Sequence, residues 1–399
     1  MHSIAILKKL LAKYPRLIVI FPIAVAIMLI LLVFYATKNQ ALETKFKTLT
    51  ILETKEKKKL EMVEKELKEL KTQDQYVVNQ ELKEKISNIE TTYKKAVTAY
   101  EKLLDLKTIS KKTEKQDQLL AKAIDLLSQR NYASGNATLN NLTKLIDDEK
   151  AKIASTFTIP ESVKANNAPP NSGYSRQSVN SDIGTYLVDI IAADLNTARV
   201  IVDTASDSDC SNNCPVLSLG DYVSRNGAFA GVNGSYFCPA EYPSCAGRTN
   251  SFDTLLMNKN KKYFNSENNK YSSVPLIYFS GNSAGIRGQS LEWGRDTGID
   301  AVLANQGLLL SGGNIVFGGD SDPKKGSKGT RSFVGNKGNT AYVGVVHSVT
   351  VAEVAHVLKT LGLENALNLD SGGSVALWSG GYKAGPGRNI PNALLFVRK

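Results

Sequence analysis

Residues Leu17 to Ala36 read LIVIFPIAVAIMLILLVFYA, twenty residues without a charge. A helix of that length rises about 30 Å, the thickness of a bilayer's hydrocarbon core. The run is therefore read as a membrane anchor, and it decides the compartment of everything that follows. Pro22 falls near its start, where a proline costs a helix least. A cleaved signal peptide would have a shorter apolar region followed by a small-residue cleavage site, which this stretch lacks. Lys8, Lys9, Lys13 and Arg16 precede the run and place residues 1–16 in the cytoplasm by the positive-inside rule. Lys38, Lys45 and Lys47 on the other side weaken that asymmetry. The expectation is a single-pass protein of the cell membrane, with anchor 17–36 and an extracytoplasmic C-terminal domain.

The net charge of +11 would suggest nucleic acid if it were spread over the chain. It is not. Residues 1–155 hold 28 Lys and Arg against 19 Asp and Glu, and the remainder is nearly balanced. The surplus reads as membrane-proximal charge and solvated helix faces, with no nucleic-acid partner.

Cys210, Cys214, Cys238 and Cys245 all lie beyond the anchor. Their spacings lack the C-x-x-C knuckles of zinc sites, and the chain has only three histidines, His2, His347 and His356. Disulfides in an oxidising compartment suit an exported domain. Three connectivities are open; the sequence-near pairs 210–214 and 238–245 are favoured, with four buried thiols as the alternative.

From 37 to 155 the pattern is helical. Leu60, Val63, Leu67 and Leu70 step by threes and fours, as do Leu82, Ile86, Ile89, Tyr93, Ala96, Tyr100 and Leu103. The two seams are offset by a break near Gln73–Gln80. Polar breaks near Lys107–Lys115 and Asn131–Asn136 imply two more, shorter helices. This is a helical or coiled-coil stalk, a hairpin or small bundle, and the seam would also permit a homo-oligomer. Residues 156–180, with Pro160, Pro169, Pro170 and Gly173, read as a linker. Beyond it, 181–399 reads as one α+β domain, a mixed β-sheet with flanking helices. TYLVDIIAADLNTARVIVDTA (185–205) holds two β-rich runs around Asn196, and LSLGDYVSRNGAFAGVNGSYF (217–237) a short helix, a buried strand and a polar turn. TVAEVAHVLKTLGLENALNLD (350–370) holds a helix with Thr350 as N-cap and Gly362 at its end, leading into a strand that stops at Asp370.

The stretch NLDSGGS (368–374) looks like a serine-protease nucleophile loop. His347 and His356 lie close upstream, and neither the chain order of a triad nor a G-x-S-x-G elbow is present. A different reading comes from three stretches together. GVNGSYF (231–237), GTRSFVG (329–335) and NLDSGGS each bring an apolar strand to one polar group, with glycine allowing close approach. Asparagine, arginine and aspartate at strand ends suit a sugar or phosphate site, and arginine offers a planar fork to a phosphate.

In order and context these stretches resemble the phosphodiester glycosidase family. Asn233-Gly234-Ser235-Tyr236-Phe237 is similar to its N-G-G-[FY]-F, Arg331 to Gly335 to its R-T-A-x-G, Thr350 to Ala355 to its T-x-x-E-x-A helix, and Asn368 to Ser374 to its N-L-D-G-G-G-S. GRNIPNALLFV (387–397) resembles its closing strand. The resemblance covers about 181–399. Ser235 and Ser371 stand where the family has glycine, and Ser332-Phe333 where it has Thr-Ala. The resemblance implies hydrolysis of a sugar-1-phosphodiester in an envelope or extracellular glycan, without metal or cofactor. Asp370 and Arg331 would be catalytic. Asn233, Gly234, Ser235, Tyr236, Asn368, Ser371, Gly372, Gly373 and Ser374 would line the substrate. No motif marks a second carboxylate, though Asp253 is at hand. The alternative is a non-catalytic glycan-binding or scaffolding module on a coiled-coil stalk, for which Asp370 has no use.

Overall fold

The structure is a computed structural model and describes residues 15–267 and 273–399. The expected cytoplasmic end, with Lys8, Lys9 and Lys13, lies outside the described residues. The chain divides into two units, Met1–Asn88 and Ile89–Lys399.

In the first unit, α1 (Pro15–Thr72) contains the apolar run and is followed after Gln73 by the start of α2 (Asp74–Ile109). From Pro22 onward α1 is long and apolar enough to cross a membrane, and its apolar window is not buried. Leu60, Val63, Leu67 and Leu70 remain about half exposed along it.

In the second unit the rest of α2 packs with α3 (Glu114–Ser128) and α4 (Tyr132–Thr156) around Ala99, Leu103, Leu106, Leu127, Leu139, Leu142 and Ile146. Part of the expected coiled-coil seam is thus an internal bundle face: Ala96 and Leu103 are buried, while Tyr93 stays exposed. Asn131 caps α4 by accepting the Ser134 N–H. Gly135, which the sequence offers as part of a break, lies inside α4 because a Cβ there would meet Leu127 Cδ2 at 2.6 Å.

Among the described residues three sheets follow. The first runs β1 (Gly173–Ser181), β2 (Gly184–Asp194), β13 (Thr340–Val349), β12 (Gly329–Lys337), β14 (Asn365–Ser371), β10 (Leu308–Ser311) and β11 (Asn314–Ile315). The second runs β16 (Tyr382–Ala384), β15 (Leu377–Ser379), β4 (Ala230–Asn233), β17 (Asn392–Arg398) and β3 (Ala198–Thr204). The third runs β6 (Tyr263–Phe264), β5 (Leu256–Met257), β9 (Ala301–Ala304), β7 (Leu276–Ser280) and β8 (Ser283–Arg287). The α+β class is as read from the sequence. Where a mixed sheet was expected, the ladders between these strands are antiparallel, and among the described residues the parallel pairing is an isolated bridge from Ala165 to Ser178.

The core lies between the sheets. Ile191, Val343 and Leu367 of the first meet Val202, Val232 and Phe396 of the second and Leu256, Ile277 and Leu303 of the third. The opposite face of the first sheet is covered by α7 (Val351–Thr360), whose Val354, Ala355 and Leu358 pack on Val188, Ile190 and Phe333. Burial on both faces explains the unbroken apolar run in β2. The capping box of α7 is formed, with the Glu353 N–H donating to Thr350 Oγ1 at 3.2 Å and the Thr350 N–H to Glu353 Oε2 at 2.7 Å. Two shorter helices, α5 (Leu219–Asn226) and α6 (Pro323–Gly326), precede β4 and β12.

Strand pairing begins inside the segment read as linker. β1 hides in a polar composition because its buried Gln177 is satisfied, donating to the carbonyls of Asn166 and Ala168 at 2.7 and 2.8 Å. The disulfides are the sequence-near pairs, Cys210–Cys214 and Cys238–Cys245.

Candidate active site

The three motif stretches meet where β4 and β14 end and β12 begins. Asn233 is fully buried at their junction. Its Nδ2 donates to the Asp370 carbonyl at 2.7 Å, and its Oδ1 accepts the Ser332 hydroxyl at 2.7 Å and the Ala376 N–H at 3.1 Å. The asparagine therefore fastens the second sheet to the first. Ser332 keeps the hydroxyl that the family's threonine would bring. Gly234 is required by close approach, since a Cβ would lie 1.8 Å from Asn392 Oδ1. Ser235 is buried, with its N–H 2.9 Å from Asn392 Oδ1 and its hydroxyl accepting Asn392 Nδ2 at 3.1 Å. It was expected to line substrate but faces protein.

Asp370 is the penultimate residue of β14, its N–H on the Gly234 carbonyl at 3.0 Å and its Oδ1 accepting the Ser371 N–H at 2.8 Å. Burial pushes its carboxyl up to about 6, opposed by the Ser374 hydroxyl, the Ser371 N–H and the charges of Arg388 and Lys324. The Ser371 hydroxyl donates to the Leu369 carbonyl at 3.2 Å. His347 lies instead against Asp189, 2.8 Å away, and His356 against Asp182. Tyr236 accepts Asn368 Nδ2 on its hydroxyl at 2.7 Å. Burial and the charge of Asp370 push that hydroxyl up. Asn305 holds this pair from behind, accepting the Tyr236 N–H at 3.0 Å and donating to the Asn368 carbonyl at 2.9 Å. The Oδ1 of Asn368 is buried and has no partner among the described residues.

Arg331 is 7% exposed. Its Nε donates to the Val349 carbonyl at 3.3 Å and its Nη2 to the carbonyls of Lys324 and Ser327 at 2.6 and 2.5 Å. The expected phosphate fork is thus largely committed to backbone, and what it holds is the α6 turn that carries Lys324. A second arginine occupies the place by the glycines. A Cβ on Gly373 would sit 2.3 Å from Arg388 Nη2, and the Arg388 N–H donates to the Gly373 carbonyl at 2.8 Å. Gly372 has φ +63°, the left-handed turn that lets the chain pass beneath this guanidinium. Arg388 and Lys324 both lie by the ring of Tyr242, 5.2 and 5.0 Å from its centroid. Asp322 is the other carboxylate whose charge reaches both Tyr236 and Arg331. A groove of about 330 Å³ is lined among others by Gln306, Phe317, Asp320 and Lys325, and the Gln306 carbonyl accepts Asn368 Nδ2 at 3.4 Å.

Residues 226–397 match the family model for phosphodiester glycosidase, a span that contains all three motif stretches. That part of the chain is similar to a phosphodiester glycosidase domain. Two solved structures are similar to it. A protein from Synechocystis is 11% identical with a TM-score of 0.41, over 57% of this chain and 62% of its own. This chain thus spans about three fifths of that protein's length. The catalytic domain of zebrafish N-acetylglucosamine-1-phosphodiester alpha-N-acetylglucosaminidase, auto-inhibited by its pro-peptide, is 14% identical with a TM-score of 0.42, over 59% of this chain and 87% of its own. No curated protein sequence matches. Sequence reasoning missed Arg388, Tyr242, Lys324 and Asn305. Arg388 lies inside GRNIPNALLFV, the stretch that resembles a closing strand. The others carry no motif.

Proposed function

We propose that this domain hydrolyses a sugar-1-phosphodiester between the anomeric carbon and the phosphate oxygen. The observation that carries the reading is the half-buried Asp370 at the junction of the motif strands, its carboxyl pushed up to about 6 and the charges of Arg388 and Lys324 acting on it. Glycosidases in general need a second carboxyl group to protonate an alkoxide. A phosphate monoester has a second pKa near 6 and leaves without that help once its charge is met. Asp370 takes the proton of the attacking water, or attacks the anomeric carbon itself. The carbon–oxygen bond breaks, its electron pair stays with the phosphate, and Arg388 and Lys324 receive the charge. Arg331 acts by holding the turn that presents Lys324. The sugar lies toward Tyr236 and the groove beside Asn368. The apolar helix and the two disulfides support a membrane-anchored domain on the extracytoplasmic side, acting on an envelope glycan.

The test is the full chain in detergent with a panel of methyl sugar-1-phosphodiesters, in water labelled with heavy oxygen. The label is expected in the sugar. Label in the phosphate, or a panel left intact, sinks the reading. The acid limb of kcat/KM is expected near pH 6, with activity falling about tenfold per unit below it as Asp370 is protonated. A profile flat from pH 5 to 7 would remove Asp370 as the base.

Ser371→Ala should stay within about tenfold of the wild-type kcat/KM, about 1.4 kcal/mol of barrier, because the Ser371 hydroxyl is spent on a backbone carbonyl. Ser371→Gly should do at least as well. A dead alanine variant would return the serine to the chemistry.

A further inference from the structure

The helical segment reads from sequence as a spacer, but it reaches the candidate site. Glu101 and Asp105 lie four residues apart on one face of α2. Glu101 Oε1 accepts the Ser244 N–H at 3.0 Å, and Asp105 accepts the hydroxyl of Tyr242. Lys150 of α4 stands 3.9 Å behind Asp105. The loop they grip is closed by Cys238–Cys245, so Tyr242 is pinned at its hydroxyl by the bundle and at its backbone by the disulfide loop. Its ring, 9% exposed, is the surface beside which Arg388 and Lys324 lie. A long cation has many rotamers, and an aromatic face selects among them.

We propose that Asp105 is a positioning residue for the anion side of the candidate site: it fixes Tyr242, and Tyr242 fixes Arg388 and Lys324 for a phosphate group beside Asp370. The inference rests on the phosphodiester reading of that site. It makes the bundle a working part of the phosphate subsite. The charge of Asp105 by itself acts the other way, since a carboxylate near a phosphate repels it. Position and charge can therefore be told apart.

The experiment uses the full chain in detergent with methyl phosphate as ligand, measured by calorimetry, so that it reads binding without turnover. Tyr242→Phe removes one hydroxyl and keeps the ring. It is expected to weaken methyl phosphate binding about tenfold, the scale of the one hydrogen bond that pins the ring, with an unchanged melting temperature. Asp105→Ala should weaken it to the same extent. Asp105→Asn, which still accepts from the hydroxyl, should restore binding to within about threefold of wild type, half a decade on the same scale. The double variant Asp105→Ala/Tyr242→Phe should be no worse than either single change, because both break one link. Wild-type binding by Tyr242→Phe, or tighter binding by Asp105→Ala, overturns the proposal. If methyl phosphate binds as expected while no phosphodiester is cleaved, the hydrolase reading falls and this assignment stands.

Discussion

Asp370→Asn lowers kcat/KM on a sugar-1-phosphodiester by about a thousandfold, the middle of the range for loss of a positioned proton acceptor. The substitution keeps the shape of the side chain and the acceptor for the Ser371 N–H, which lies 2.8 Å from Oδ1. What it removes is basicity and charge. Methyl phosphate should then bind at least as tightly as in the wild type, because a negative charge has gone from beside Arg388 and Lys324. Stability moves the other way from activity. The folded carboxyl titrates at about 6, above an ordinary aspartate near 3.9, so folding disfavours its ionised form. That penalty is full above pH 6 and fades as pH falls toward 4. The variant should therefore melt higher than wild type at pH 7.5, with the difference shrinking toward pH 4. Equal turnover by the two proteins would end the assignment. A glycan-binding module predicts no turnover in either, and that outcome would favour it.

Asn233→Ala should destabilise the domain by about 4 kcal/mol, since it orphans a buried carbonyl, a hydroxyl and an N–H that each cost about 1–3 kcal/mol unpaired. The three partners belong to Asp370, Ser332 and Ala376. A loss of that size is a large share of the 5–15 kcal/mol that typically holds a domain together. The measurement is the urea midpoint of the disulfide-bearing domain under oxidising conditions. A shift worth less than about 1 kcal/mol, no more than one ordinary hydrogen bond, would mean that the junction is held by other contacts.

The two substitutions mark how far the sequence could be read. The α7 helix was legible because Thr350, Glu353 and Gly362 are local signals for caps. Asp370 was legible because an apolar strand ends on it between glycine-rich turns. The role of Asn233 was not, since nothing local separates an asparagine that contacts ligand from one that ties two sheets. The same holds for Arg331, whose partners at Lys324, Ser327 and Val349 are set by the fold. β1 escaped because its burial is satisfied by polar contacts and not by an apolar alternation. Arg388 and Tyr242 meet across 146 positions of sequence, a distance at which single-sequence patterns carry no information.

The contacts of Asn233 also bear on how the molecule is made. They reach across 99, 137 and 143 positions, to Ser332, Asp370 and Ala376. Contacts so distant along the chain close late, because the loop entropy must be spent before they return anything. A nascent or truncated polypeptide that stops before Ala376 can pair β12 with β13 and β14, but it lacks β15 and β17, the two strands that flank β4, and so cannot hold the asparagine in place. The carboxylate pocket is therefore all or none, and shortened products of this gene should be inert and prone to proteolysis, with no partly working form between.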